Sequence, residues 1–342
     1  MIAEAPPPKR FVARWDLDKT YLRTEFDTLR DLVRTAFERP DQKRTVPGAG
    51  SVLRELAAAG AEVHILSGSP RQMRSRIEQK LRLDGATYAS LTLKPNLENV
   101  LRLRLRAVRD QLGYKLPALL SSRASLVDPR GPDGLVREVL LGDDAEADAF
   151  VYSLYGDICS GQVDDRTLEE ILRKGGAYED SIAEALQSAR VIEKGVIVDR
   201  ILIHLDRQTP PGRFASYGRR VVPFYNYLQA AFVLAEDGHL PARGVVRVAA
   251  ELVIDHRFDA DALARSYVDL RKRGRIRGDL VPAIRAALAE VDQGTGLPAV
   301  AEVRSMCDRI EESLPPPPRD VAPEPPMPDY LALVGEHNRR RK

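Results

Sequence analysis

The sequence predicts an α/β protein: a doubly wound parallel sheet with a mostly α-helical C-terminal region. Over residues 11–145, short apolar β-branched runs alternate with helix-like segments, the pattern of strand–helix–strand units. Three polar clusters, DLDKT, SGSP and GDD, each stand directly after such a run. Ligands of open parallel sheets bind beyond the carboxyl ends of the strands, so this placement predicts one common site.

The elements follow in order. MIAEAPPPKR is a Pro-rich lead-in, expected to be mobile, and it holds no apolar signal core. Phe11–Trp15 is an apolar run ending at Asp16, and a helical pattern follows over Glu25–Glu38. VPGAG (Val46–Gly50) reads as a turn into a helix over Ser51–Ala59, which Gly60 stops. Glu62–Leu66 is a β-branched strand ending at Ser67, and Arg137–Leu141 is another, ending at Gly142-Asp143. Residues 157–193 read helical, and Val196–Leu205 reads as one more buried strand. Residues 215–312 show helical patterns broken by Gly and Pro, and the Pro-rich tail with its basic end is expected to be extended or disordered. The expected organisation is a core over 11–210 with a helical insertion at 157–193, a helical appendage at 215–312, and a tail at 313–342.

With 342 residues, 44% apolar and 30% charged, the chain can pack a core. Its formal net charge of +2 gives no reason to expect nucleic acid as a partner. Cys159 and Cys307 lie far apart and show neither a disulfide framework nor zinc spacing. No run reaches the apolar length of a membrane span. The expectation is a soluble, cytoplasmic protein. Arg213–Phe232 sets aromatics beside arginines, which suits a membrane interface; burial of aromatics at helical spacing is preferred, with peripheral membrane contact at most. Arg271–Arg277 (RKRGRIR) reads as a solvated helix end.

The chemistry concentrates in four places. In DLDKT, Asp16 and Asp18 are two residues apart after a strand, so both can face one phosphate. One carboxylate can attack phosphorus while the other protonates the leaving oxygen and later activates water. A strand followed by an acidic turn would read the same way. In SGSP, Ser67 can donate its hydroxyl and Gly68 its N–H to a phosphoryl oxygen; the competing reading makes Ser69 an N-cap and Pro70 the first helical residue. A lysine near the transferring phosphoryl group is expected. Lys115, opening an apolar helical stretch before the GDD strand, is favoured over Lys94. In GDDAEAD, Asp143 can join Asp16 and the Asp18 carbonyl as hard oxygen ligands for Mg²⁺. Asp144 and Asp148 are further ligands or outer acceptors, and an acidic helix start is the alternative for Asp144.

Taken in order, DxDxT at Asp16–Thr20, Ser67, Lys115 and GDD at Gly142–Asp144 resemble the motifs of the haloacid dehalogenase (HAD) superfamily. The second aspartate resembles the phosphatase branch. This resemblance implies a Rossmann-like core, Mg²⁺ held by Asp16, Asp18, Asp143 and Asp144, an aspartyl-phosphate intermediate, and Thr20 and Gly68 at the phosphate. The nearest likeness is the catalytic domain of actin-patch-protein-type phosphatidate phosphatases, over residues 11–155. Lys19 departs from that pattern, and so does the absence of its S-G-Q stretch. The expected function is hydrolysis of a phosphate monoester, on a small molecule or a lipid of phosphatidate type. The alternative is a weakly active or inactive scaffold working through its helical and Pro-rich C-terminal regions.

Overall fold

A computed structural model describes residues 10–23, 44–94, 107–131, 134–291, 298–314, 316 and 325–339. The helix expected at Glu25–Glu38 and most of the N-terminal lead-in lie outside them.

Six parallel strands form the central sheet: β1 (Phe11–Asp16), β2 (Ala61–Pro70), β3 (Ser90–Lys94), β6 (Arg137–Asp143), β7 (Val198–His204) and β8 (Val221–Phe224), in the order β3-β2-β1-β6-β7-β8. A small antiparallel ribbon, β4 (Arg130–Gly131) with β5 (Gly134–Leu135), precedes β6. The connections run from β1 outward to β3, then cross to β6 and on to β8. The switch point therefore lies at β1 and β6, where this architecture forms its ligand crevice.

Alternating side chains along the strands feed two apolar layers. Ala13, Trp15, Val139, Leu141, Leu202 and Val222 face α1 (Ala49–Ala58), α2 (Arg74–Leu83) and the helices of the C-terminal region. Leu140, Ile201, Ile203 and Val221 face α3 (Ala107–Ala124), α4 (Asp148–Ser160), α5 (Asp165–Gly175) and α6 (Glu179–Val191). The 157–193 stretch is thus part of the second layer.

Three expectations need correction. Residues 215–312 are not an appendage: they contribute β8, and α7 (Tyr227–Glu236), α8 (Ala242–His256), α9 (Ala260–Lys272), α10 (Val281–Val291) and α11 (Pro298–Ser313) build the first layer directly. The tail is not wholly extended either. After its prolines, α12 (Tyr330–Arg339) docks on the second layer, with Tyr330 edge-on to Phe150 at 5.5 Å and its hydroxyl bonded to Asp157. RKRGRIR does end a helix, α9, with Lys272 and Arg277 exposed, but it is not wholly solvated: Arg273 donates to the Pro223 carbonyl (2.7 Å) and Arg275 to that of Val221 (3.1 Å). These arginines cover the open edge of β8, where a row of bare carbonyls would invite wrong pairing. In the 213–232 segment Phe214, Tyr217, Phe224, Tyr227 and Phe232 are buried, but not along one helix as expected: Phe214 and Tyr217 lie on a 3₁₀ turn, Phe224 on β8 and only Tyr227 and Phe232 on α7, while Tyr225 is exposed. Among the described residues no helix is long and apolar enough to cross a membrane.

Candidate functional site

Asp16 ends β1, Asp143 ends β6, and Ser67 lies near the end of β2, so the register of three adjacent strands brings them to one edge. Asp16, Ser67, Lys115, Asp143 and Asp148 are all buried. Lys115 projects from α3 and is completely enclosed. Its Nζ lies 2.8 Å from Asp16 Oδ1, 2.7 Å from Glu146 Oε2 and 2.6 Å from Asp148 Oδ1. Lys94 instead places its ammonium 5.9 Å above the Tyr114 ring. Of the two lysines, the structure brings Lys115 to the acidic centre.

Asp148 stands at the start of α4 and binds in two directions: Oδ1 meets Lys115 and Oδ2 accepts the Asp143 N–H at 3.1 Å. Gly142 makes that approach possible, because a Cβ there would fall 2.4 Å from Asp148 Oδ2. Asp143 Oδ1 accepts the N–H groups of Ala145 (2.6 Å) and Glu146 (2.9 Å), so the GDDAE turn folds around it.

Asp18, two residues beyond Asp16, is half-buried. Its Oδ2 accepts from Ser67 Oγ at 2.9 Å and from Ser69 Oγ at 3.2 Å. Ser69 is therefore not an N-cap; the following 3₁₀ turn has no side-chain cap. A Cβ at Gly68 would meet nothing within 4 Å, so this residue borders open space. Tyr114, next to Lys115, donates to the Ser67 carbonyl at 2.9 Å.

Two expected site residues do other work. Thr20 is fully buried, and its hydroxyl lies 3.2 Å from Asp16 Oδ2 and 3.5 Å from Asp143 Oδ2. It braces the Asp16 carboxylate against Asp143. Asp144 turns away from the centre: its oxygens accept the N–H groups of Arg207 (2.8 Å) and Thr209 (2.9 Å), tying down the loop after β7. Its side chain is committed to that loop.

An oxygen from each of Asp16, Asp143 and Asp148 lies within 4.8 Å of the other two. Burial pushes all three carboxyls up: repulsion from neighbouring acids adds to this, and Lys115 opposes it. Burial works against the Lys115 charge, yet Asp148, Asp16 and Glu146 hold its pKa well above the ordinary value. One ammonium therefore faces the acids Asp16, Asp143, Glu146 and Asp148, and buried charge without compensation is costly. Asp16 Oδ1 is enclosed without a well-aligned hydrogen-bond donor. These hard oxygen donors and the surplus of negative charge fit a divalent cation. Comparison with protein-family models, curated proteins and solved structures finds no match.

Glu146 and Ser69 were not singled out from sequence. Glu146 sits in an acidic run where each carboxylate looks alike, and Ser69 reads as the cap of a helix that in fact begins later, because β2 runs on through Pro70.

Proposed function

We propose that this chain is a Mg²⁺-dependent phosphatase of the haloacid dehalogenase type, hydrolysing a phosphate monoester through an aspartyl-phosphate on Asp16. The observation that carries this reading is Asp16 at the switch point, flanked by Lys115 and Asp143 and facing a hydroxyl-bound Asp18. Asp16, Asp143 and the Asp18 carbonyl would hold Mg²⁺, with Asp148 as organiser of Lys115 and the Asp143 turn. The cation would offset the charge of phosphate and acids together.

The remaining steps use the chain's own groups. An Asp16 oxygen attacks phosphorus as the ester oxygen departs, and Asp18 gives that oxygen a proton. Asp18 then takes a proton from the water that attacks the aspartyl-phosphate, which releases phosphate and restores Asp16. Lys115 fixes Asp16 and offsets developing equatorial charge. The Ser67 hydroxyl, which donates to Asp18 here, would turn to a phosphoryl oxygen. A lipid phosphate of phosphatidate type is one candidate substrate; the open side at Gly68 suits a bulky ester.

The test is hydrolysis of p-nitrophenyl phosphate with and without Mg²⁺. Turnover should require the cation, and Asp16→Asn should lower it by at least about 10³-fold while thermal unfolding shows an intact fold. Undiminished turnover in Asp16→Asn would remove Asp16 from its role.

A further inference from the structure

The loop that carries Asp18 is held from outside by residues far along the chain. It leaves β1 at Asp16 and doubles back, with the N–H of Lys19 on the Leu22 carbonyl at 2.8 Å. Lys19 adopts a positive φ of 59°, an uncommon conformation for a residue with a side chain. Two side chains from later in the chain donate to the carbonyls of Lys19 and Thr20. His204, the last residue of β7, donates from Nδ1 to the Lys19 carbonyl at 3.1 Å. Tyr227, the first residue of α7, donates to the Thr20 carbonyl at 2.6 Å. Both donors are themselves fixed: their rings lie 5.7 Å apart, and Tyr227 stacks on Trp15 with an interplanar angle of 12°. Tyr227 is fully buried and His204 almost so.

We propose that Tyr227 and His204 are positioning residues that aim Asp18 across the site, so that acid–base geometry depends on the C-terminal half of the chain. The inference rests on the phosphatase reading. The two carbonyls flank the turn after Asp18, opposite the serines that hold its carboxylate. Releasing either carbonyl lets Lys19 relax toward negative φ, and Asp18 swings with it. Asp16 is anchored separately, through β1 pairing and Lys115, so the loss should fall on proton transfer rather than on nucleophilic attack.

The experiment compares leaving groups in the full-length protein with Mg²⁺. p-Nitrophenolate leaves with little protonation, whereas the alkoxide of glycerol 3-phosphate needs it. Tyr227→Phe and His204→Ala are each expected to lower kcat/KM, which ends at formation of the aspartyl-phosphate and so excludes the water attack common to both esters, about tenfold more for glycerol 3-phosphate than for p-nitrophenyl phosphate, within the range of general acid catalysis. Asp18→Asn should show the same selectivity, more strongly. His204→Asn, which retains an N–H near the position of Nδ1, should recover most of the loss. Hydrogen exchange over residues 16–23 should quicken about tenfold in Tyr227→Phe and be unchanged in Asp18→Asn. Equal losses on both esters, or unchanged exchange in Tyr227→Phe, would overturn the proposal. A wild-type protein that turns over neither ester would instead overturn the phosphatase reading, and Asp18's role with it.

Discussion

Asp143 and Asp144 are adjacent, identical in chemistry and opposite in use. Asp143 continues β6, so its side chain enters the centre, where its Oδ1 is wrapped by the N–H groups of the next turn. Asp144 points the other way and holds the 207–209 backbone. Alternation at a strand end separates them, and a sequence without the strand's register shows only two acids. The same run hides Asp148, which acts only because Gly142 lets it close over the strand end. Asp16, Asp18 and Ser67 could be picked out because they stand at or near strand ends, whereas Lys115, expected to open a helix, lies in the middle of α3. For the ambiguous pair, calorimetric titration with Mg²⁺ gives the decision. Asp143→Asn should weaken binding at least about tenfold, while Asp144→Asn should leave affinity within about twofold and loosen the loop after β7. Equal losses in both would return Asp144 to the cation.

At the scale of elements, a buried ionic network ties the centre of the sheet to its second layer. Arg14 of β1 meets Glu138 of β6 through Nη2 at 3.0 Å; Arg123 of α3 and Tyr155 of α4 join the same carboxylate at 3.1 and 2.8 Å. Burial alone would raise the Glu138 pKa, but Arg14, Arg123 and Tyr155 together hold it below the ordinary value. A carboxyl depressed in the folded state stabilises the fold above its unfolded pKa. That contribution is lost as pH falls from about 4.5 through the depressed folded value. Glu138→Gln leaves Arg14 buried without its charge partner and is expected to cost about 3–5 kcal/mol at neutral pH. Urea unfolding across pH 3 to 7 reads both effects: the gap between wild type and variant should narrow at the acid end. A constant gap would assign the stability to packing alone. Elements were legible where they are long and apolar, as β1, β2, β6 and β7 are. β3 and β8 were missed, and β8 for a clear reason: its VVPF sequence contains a proline, which is tolerated only because β8 is the edge strand.

The whole molecule is more unified than the sequence suggests. Glycine and proline break the 215–312 region into short helices, which reads like an appended bundle, yet those breaks are the turns between helices of one layer. Their apolar faces pack in one cluster with Ala13, Trp15, Val139, Leu141, Leu202 and Val222, alongside α1 and α2. The expected boundary near residue 210 therefore cuts through the core. A chain ending at residue 210 would lose β8 and expose the faces of β1, β6 and β7. Each large apolar side chain stripped of its cover forfeits about 1.5–3 kcal/mol, so losing only a few exhausts the about 5–15 kcal/mol that holds a domain folded. The shortened chain should aggregate or show no cooperative melt by calorimetry and near-ultraviolet circular dichroism. A soluble product with one sharp transition would restore the appendage. It would also detach His204 and the Asp18 loop from Tyr227, so the same preparation would show whether the acidic centre can assemble without the C-terminal half.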